Sequence, residues 1–313
     1  MSVTEGFSVA SERKDTYQVV IAGGGPTGLA AGLFTARYGL STLILDRGKS
    51  SLRQCAYIEN YLGFPGGIEV SQFLGLATAH AEDAGCRIER EQVSRLDDAS
   101  QCRETEQRPD EDGRGEGDGT ARPRFMITTR HGARFYADRF IAASVYDATY
   151  LKTLAEDQLF DGWGGFDTSA VQDGGRTPIA GLYVAGPLAG VDSQVLISAG
   201  HAASVALALV RDVREAAGLW KSVARHLDWL VWAGVYQGAQ WKAQVREYVH
   251  NQAGEGTATS RAEADAIADK IIADKQAQQV TGHEVRQRRD RGQRLRSEHL
   301  PSEAPAADVF ERR

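Results

Sequence analysis

Long apolar runs are missing from this chain. No run reaches the roughly 18 consecutive apolar residues that a membrane-spanning helix needs, so the sequence predicts no transmembrane segment and no membrane association. Residues 1–16 are polar and lack the apolar segment of a signal peptide. We interpret them as a disordered leader and expect the protein to be cytoplasmic.

Cysteine is also scarce. The three cysteines, Cys55, Cys86 and Cys102, form neither a C-x-x-C pair nor a metal-ligand cluster, which predicts free thiols and no metal site. The net charge of −6 offers no overall attraction to nucleic acid, so no nucleic-acid partner is expected. What remains, 42% hydrophobic and 25% charged residues, is typical of a globular protein with an ample core.

The most informative stretch is residues 18–46, QVVIAGGGPTGLAAGLFTARYGLSTLILD. Its short β-branched run at 19–21 predicts a buried parallel strand. An Ala- and Leu-rich helix is expected at 29–38, and a second buried strand at 42–45. This strand–helix–strand order predicts a βαβ unit.

Three glycines and one acid in this unit indicate what it binds. Gly23, Gly25 and Gly28 follow the first strand at G-x-G-x-x-G spacing, and Asp46 ends the second strand. Gly23 suits a tight turn, Gly25 lets backbone approach a pyrophosphate, and Gly28 lets the helix pack closely on the sheet. The helix start can hold the anion, and Asp46 is placed to accept hydrogen bonds from an adenosine ribose. The unit therefore predicts dinucleotide binding.

The rest of the first two thirds continues an α/β pattern. Helices are expected at 70–84 and 195–210, the first ending before Gly85. Further strands are expected at 86–89, 93–96, 124–129, 133–136, 140–143 and 182–185. Together these predict an α/β, Rossmann-like domain at 17–213, a parallel sheet with helices and a small β-meander. Within it, residues 101–124 are rich in charge and glycine and predict a disordered insertion.

The remaining residues, 214–313, predict a charged α-helical extension, partly disordered at its end. Four of the five tryptophans lie in it: Trp220, Trp229, Trp232 and Trp241. We expect helices around 219–248 to pack either on the main domain or on a second subunit of a homodimer, with an aromatic substrate wall as the alternative. A helical pattern covers 261–277. Six arginines at 286–296 predict a solvated helix face rather than a nucleic-acid patch.

Three segments together resemble one family. The chain is similar to the flavin domain of thioredoxin reductase and its low-molecular-weight relatives among the pyridine-nucleotide disulfide oxidoreductases. GGGPTGLAAGLFTARYGLSTLILD at 23–46 resembles their FAD-binding opening, and IENYLGFPGGI at 58–68 resembles their E-N-x-x-G-F-P-x-G-I loop. TPIAGLYVAG at 177–186 resembles their closing segment. The resemblance covers roughly 17–100 and 124–212 and implies an FAD-binding domain.

The resemblance also implies where FAD lies. The adenosine would lie on the Gly23–Gly28 turn and Asp46, and the isoalloxazine between the 58–68 loop and the start of the helix after Gln194. A helix start aimed at the ring would stabilise the anionic reduced flavin. The cofactor-binding residues implied in this way are Gly23, Gly25, Pro26, Thr27, Gly28, Asp46, Arg47, Asn60, Gly186, Gln194 and Val195.

The chain departs from the family pattern in several places. About 40 residues separate Ala143 from Leu182, which is too few for the nicotinamide-binding domain that the family inserts there. The family's C-x-x-C is absent, and its closing Gly-Asp pair is Gly186-Pro187 here. The sequence therefore predicts an FAD domain with neither a nicotinamide domain nor a redox disulfide.

Cys55 is the candidate catalytic residue. In distant relatives a single redox thiol falls near the flavin at a similar place, and a thiolate there could contact the flavin or form a sulfenic acid. The alternative is a small packed residue. His201, in the Ala-rich helix, is expected to be packed or solvent-facing.

These observations support three functional hypotheses. The first is an FAD-dependent oxidoreductase that exchanges electrons with an unidentified redox partner, a small-molecule substrate or a transiently docked nicotinamide. The second is a non-catalytic FAD-binding regulatory or scaffold protein that uses the aromatic C-terminal helices as its interaction surface. The third is a Rossmann protein that binds NAD at 23–46.

Overall fold

The structure, a computed structural model, describes most of the chain. The described residues form two compact units, divided between Leu209 and Val210, and each unit is described by itself. The described ranges are 15–100, 123–145, 147–224, 238–253, 260–277 and 279–300.

The described residues of the first unit form nine strands: β1 Thr16–Ala22, β2 Thr42–Leu45, β3 Tyr57–Ile58, β4 Ile68–Glu69, β5 Arg87–Glu89, β6 Val93–Asp98, β7 Phe125–Thr129, β8 Arg134–Ala142 and β9 Leu182–Val184. The main sheet has the strand order β5-β2-β1-β8-β7-β6, with β9 also paired to β8. A separate two-stranded sheet pairs β3 with β4.

The sheet is parallel at its centre and antiparallel at one side. β5, β2, β1, β8 and β9 pair in parallel, while β6, β7 and β8 form an antiparallel meander. At the open end of β6 and β7, Asp98 lies opposite Phe125. This arrangement confirms the predicted α/β fold with its parallel sheet and meander.

Strand β8 corrects one sequence prediction. Two separate strands, at 133–136 and 140–143, were expected because Asp138 and Arg139 interrupt the apolar pattern. The structure has one continuous strand, since β1 pairs with it from Thr16 opposite Tyr136 to Ala22 opposite Ala142. Asp138 and Arg139 are only partly buried, so the pairing places both polar groups where they keep contact with solvent.

The described residues of the first unit form four α-helices, the last of which continues into the second unit. Their bounds are α1 Pro26–Arg37, α2 Val70–Asp83, α3 Lys152–Leu159 and α4 Val195–Ala216. Helix α1 lies close to the sheet at its two interior glycines. A Cβ on Gly28 would be 3.4 Å from Ile21 Cγ2, and one on Gly32 would be 2.6 Å from Ile44 Cδ1. The predicted close packing of Gly28 is therefore observed, and Gly32 adds a second such contact.

Helices α1, α3 and α4 differ from the sequence prediction. Helix α1 begins at Pro26, three residues before its expected start, because proline is favourable at the first helical position. Helix α3 was not predicted, because Ala155 and Leu159 are its only buried side chains and give a weak periodic pattern. Helix α4 runs six residues beyond the expected end at 210, to Ala216. In the described part of the chain, α4 alone is long and apolar enough to span a membrane by length and composition. Its residues Ala202, Val205 and Leu209 are fully buried, whereas Leu196 and Ile197 near its start are exposed.

The second unit is helical. Its helices are α5 Lys221–Ala224, α6 Ala239–Ala253, α7 Arg261–Ala277 and α8 Gly282–His299. A small core includes Leu219, Val249 and Ala268. Helix α7 coincides with its predicted range. Helix α8 begins with a capping box between Thr281 and Glu284 and buries no residue, which confirms the predicted solvated face.

Some sequence predictions lie outside the described residues. They concern most of the leader, all but the last two residues of the 101–124 insertion, Cys102, Trp229 and Trp232. These remain predictions.

Candidate functional site

A cleft of about 390 Å³ opens at the carboxyl ends of β1, β2 and β8. Gly23 follows β1, Asp46 follows β2 and Ala143 follows β8, and all three line the cleft. The carboxyl ends of parallel strands are where open α/β sheets bind ligands. The entire lining belongs to the first unit.

The glycine turn after β1 is shaped by backbone contacts. Gly23 has φ +120°, and a Cβ there would be 2.8 Å from the Ala143 carbonyl oxygen, so the turn requires glycine. A Cβ on Gly28 would collide with the Gly23 carbonyl oxygen. A Cβ on Gly25 would meet only the Ser50 side chain, at 3.1 Å from Oγ. Gly25 therefore leaves space on the cleft side of the turn, as the sequence predicted.

Gly24 adds a constraint that the sequence analysis missed. A Cβ on Gly24 would overlap the side chain of Asp46. The carboxyl group at the end of β2 therefore lies directly against the glycine turn. The sequence did contain a signal for this contact: the middle position of G-x-G is itself a glycine, Gly24, and an acid ends the next strand.

The start of α1 is open to the cleft. Its N-cap, Gly25, makes no side-chain cap hydrogen bond, and no acid lies in the first turn. Pro26 at the first helical position has no N–H, while Thr27 is 4% exposed and lines the cleft beside it. Unpaired first-turn N–H groups and the helix dipole favour an anion at this point.

Asp46 is fixed at the edge of the cleft. Its backbone N–H donates to the Glu89 carbonyl at 2.9 Å, and its Oδ1 accepts from the Gly48 N–H at 2.8 Å. Arg47 and Lys49 line the cleft next to it. Asp46 is thus a positioned carboxylate beside two cationic side chains.

The opposite side of the cleft joins the 58–68 loop to α4. Asn60 Nδ2 donates to Gln194 Oε1 at 2.9 Å. Gln194 and Val195 line the cleft at the start of α4, and Asn60 lies outside the lining. The structure therefore brings together two residues that are 134 positions apart.

Gly186 lies outside the cleft lining and contacts both Thr27 on α1 and His201 on α4. Its φ is +72°, and a Cβ would be 2.6 Å from Oγ1 and Cγ2 of Thr27. Its N–H donates to His201 Nδ1 at 3.0 Å, while the following residue, Pro187, lines the cleft. His201 is half-buried, and burial lowers its pKa.

The predicted cofactor residues thus divide into two groups. Those in the lining are Gly23, Gly25, Pro26, Thr27, Asp46, Arg47, Gln194 and Val195. Gly28, Asn60 and Gly186 lie outside it and contact lining residues or the turn. Polar lining residues that sequence reasoning missed include Lys49, Ser50, Glu91, Ser144, Tyr150 and Ser198. They come from loops, from the 3-10 turn at Tyr150 and from α4, whose approach to the glycine turn depends on the complete sheet.

Three of these missed residues, Glu91, Ser144 and Tyr150, belong to two side-chain pairs. Glu91 Oε2 lies 3.0 Å from His131 Nδ1, and this hydrogen bond is the main cause that lowers the pKa of Glu91. The Tyr150 hydroxyl lies 3.2 Å from Ser144 Oγ. Burial raises the pKa of Tyr150, so it remains a neutral phenol in the cleft wall.

The two described cysteines have different environments. Cys55 is exposed, lines the cleft and ends a short 3-10 turn with its N–H on the Leu52 carbonyl. Cys86 is buried behind α1, and burial first, then Glu82, raise its pKa to about 12. Because Cys86 is buried, Cys55 remains the candidate reactive thiol among the described cysteines.

Among the described residues, no group of three His, Cys, Asp or Glu side chains could hold a metal ion.

The family comparison defines the class of this site. Residues 16–92 match the FAD binding domain family. The matched range contains the glycine turn, α1 and Asp46. The uncapped helix start and the space beside Gly25 fit a dinucleotide pyrophosphate. FAD is therefore the cofactor of this region.

Sequence relatives specify the type of flavoprotein. The chain is 34% identical to a thioredoxin reductase of Aquifex aeolicus over 92 residues, 29% of this chain and 28% of that protein. It is 28% identical to a thioredoxin reductase of Rickettsia prowazekii over 163 residues, 51% of this chain and 45% of that protein. The matches span less than half the length of these relatives. The FAD-binding region is thioredoxin reductase-like.

A solved structure has the same fold. A thioredoxin reductase from Gloeobacter violaceus aligns with a TM-score of 0.50 and 17% identity, over 70% of this chain and 99% of that chain. This agreement confirms the Rossmann-like fold.

Proposed function

We propose that this protein is an FAD-dependent oxidoreductase that exchanges electrons with a separate redox partner or a transiently docked nicotinamide. One observation carries the proposal: the glycine turn, the uncapped start of α1 and Asp46 converge on one cleft. The residues that line this cleft come from two parts of the chain, one before the end of β8 and one after β9. The parallel pairing of β8 with β9, with Phe140 opposite Leu182, brings these two parts together.

The lining residues have distinct roles in this proposal. The first-turn N–H groups of α1 and the backbone at Gly25 hold the pyrophosphate, and Asp46 accepts from the adenosine ribose. Arg47 and Lys49 offset the phosphate charge. The flavin ring would lie between the 58–68 loop and α4, where FAD supplies the capacity to accept and release electrons. Val195 at the start of α4 places a positive helix end there, which stabilises negative charge.

The connection between β8 and β9 supports an external electron source. In the described residues of 143–181, helix α3 and short 3-10 turns form the whole regular structure apart from isolated bridges. A second parallel sheet with its crossovers needs 30 or more residues for each βαβ unit, by a rough count. Nicotinamide or another donor would then have to approach from solvent.

An exposed apolar surface lies on the two segments expected to flank the ring. We call Tyr57, Leu62, Leu196 and Ile197 the mouth surface; they are 47%, 85%, 45% and 44% exposed. The Asn60–Gln194 hydrogen bond links the 58–68 loop, which Tyr57 directly precedes, to the residue just before α4. Exposed apolar side chains on segments next to a binding cleft suit contact with an external molecule.

Anaerobic reduction of the FAD-loaded protein tests this proposal. The flavin spectrum would be followed after addition of NADPH, and separately after addition of reduced ferredoxin as a protein donor. We expect bleaching by at least one donor, and slower bleaching when Leu62 is changed to Asp. The matched control is Val285→Asp, because Val285 is 41% exposed on α8 and should leave the rate unchanged.

Two results would contradict the proposal. If dithionite alone bleaches the bound flavin, the non-catalytic regulatory or scaffold function is favoured. If Leu62→Asp and Val285→Asp change the rate equally, the mouth surface does not contact the donor.

A further inference from the structure

We propose that His201 is a positioning residue of the FAD site and that its protonation weakens FAD binding. This inference rests on the proposed FAD site and adds a form of regulation to it. It concerns a side chain that lies outside the cleft lining.

The hydrogen bond at Gly186 fixes the protonation state of His201. The Gly186 N–H is a donor only, so the Nδ1 atom 3.0 Å away must accept. The imidazole is therefore neutral in this arrangement and carries its proton on Nε2. A doubly protonated ring has no acceptor left for Gly186.

Gly186 also contacts Thr27, at the end of the cleft proposed to hold the pyrophosphate. Its positive φ turns the chain directly after β9, and its backbone lies against the Thr27 side chain. Thr27 lies in the first turn of α1 and lines the cleft. His201 itself belongs to α4, whose first residue, Val195, lines the cleft together with the preceding Gln194. His201 therefore connects the two walls through one backbone group.

Protonation would break this connection. The Gly186 N–H would face a second N–H, and a partly buried donor without a partner is costly. Burial lowers the pKa of His201. The other titratable or charged side chains on the described segments next to this part of α4 are Tyr183, Asp192 just before the helix, and Asp173 and Arg176 in the segment whose glycines lie against Val205 and Ala208.

The sign of the effect follows from linkage. FAD binds the form with neutral His201. Burial holds the pKa of His201 below its ordinary value of about 6.5, so affinity is full at that pH and above and falls as the pH drops through the lowered pKa. If the charged form does not bind, the apparent Kd rises about tenfold for each pH unit below the pKa of His201.

The test measures FAD affinity from about pH 8 to pH 5 for the full chain and three variants. His201→Asn keeps an acceptor near the Nδ1 position without titrating, so it should bind FAD as tightly as the parent at high pH and lose the pH dependence. His201→Leu removes the acceptor and should bind weakly at every pH. His80→Asn, on α2 away from the cleft lining, is the control and should keep the parent profile.

A second measurement separates this inference from the FAD site itself. In FAD-free protein with ¹⁵N-labelled glycine, the Gly186 amide resonance should shift with the same midpoint as the His201 ring. A His201→Asn profile identical to the parent, or a Gly186 amide that ignores His201, would overturn the inference. A parent protein that binds no FAD at any pH would instead overturn the proposed function, and the amide titration would still test the contact.

Discussion

Substitutions at Gly25 and Gly28, three residues apart in the glycine turn, should affect FAD binding and fold stability differently. Gly25 has φ −84°, which any residue adopts, and a Cβ there meets only the rotatable Ser50 side chain. Gly28 has the Gly23 carbonyl oxygen where its Cβ would stand. Gly25→Val should therefore fill the pyrophosphate position and leave the fold intact, while Gly28→Ala should force the turn and helix apart.

The magnitudes differ enough to measure. Losing two charge-assisted hydrogen bonds to phosphate costs about 3–6 kcal/mol, so Gly25→Val should weaken FAD binding at least about 100-fold. Its loss of an N-cap glycine should cost up to about 1 kcal/mol, or roughly 2–4 °C in Tm for a domain of this size. Gly28→Ala should cost about 3 kcal/mol or more, because a backbone oxygen cannot rotate away, and should lower Tm by at least about 6 °C.

The assays are FAD titration by fluorescence quenching and thermal unfolding of the FAD-free protein by circular dichroism. FAD-free protein is needed because bound cofactor raises Tm by itself. The reasoning fails if Gly25→Val binds FAD as the parent does, or if its Tm falls further than that of Gly28→Ala.

Three further results are expected. Replacing residues 101–122 by a short glycine-containing turn should leave Tm and FAD content nearly unchanged, because β6 and β7 are already paired beside the excision; a large loss of either would show that the segment packs. Iodoacetamide near pH 8 should modify exposed Cys55 and spare Cys86, whose pKa is raised to about 12; peptide mapping of a Cys102→Ser variant checks this, and early loss of Cys86 would contradict its burial. NADPH-dependent reduction of thioredoxin should be negligible without a C-x-x-C; rapid, saturable turnover would mean that a nicotinamide site exists elsewhere.

The sequence predicted the elements whose signals are local. The β-branched run at 19–21, the glycine spacing and the terminal acid all lie within 29 residues, and the structure has β1, α1 and β2 there. The same holds for α7, whose predicted and observed ranges coincide. Where propensity, pattern and turn chemistry agree over a short range, a sequence specifies local structure strongly.

What the sequence did not predict depends on distant contacts. Strand β8 is continuous because β1 pairs along it, and Asp138 gives no local sign of that. The Asn60–Gln194 hydrogen bond joins residues 134 positions apart. Nothing in the sequence around His201 distinguishes it from a packed or solvent-facing helix residue. Only the fold places the Gly186 N–H against its ring.

The visible absorption spectrum of the full chain, mixed with FAD and then desalted, tests the central claim most directly. The account predicts a yellow protein that carries flavin bands at one FAD per chain, with those bands missing from Gly25→Val treated in the same way. A folded parent protein that emerges colourless would contradict the FAD site and favour an NAD-binding cleft.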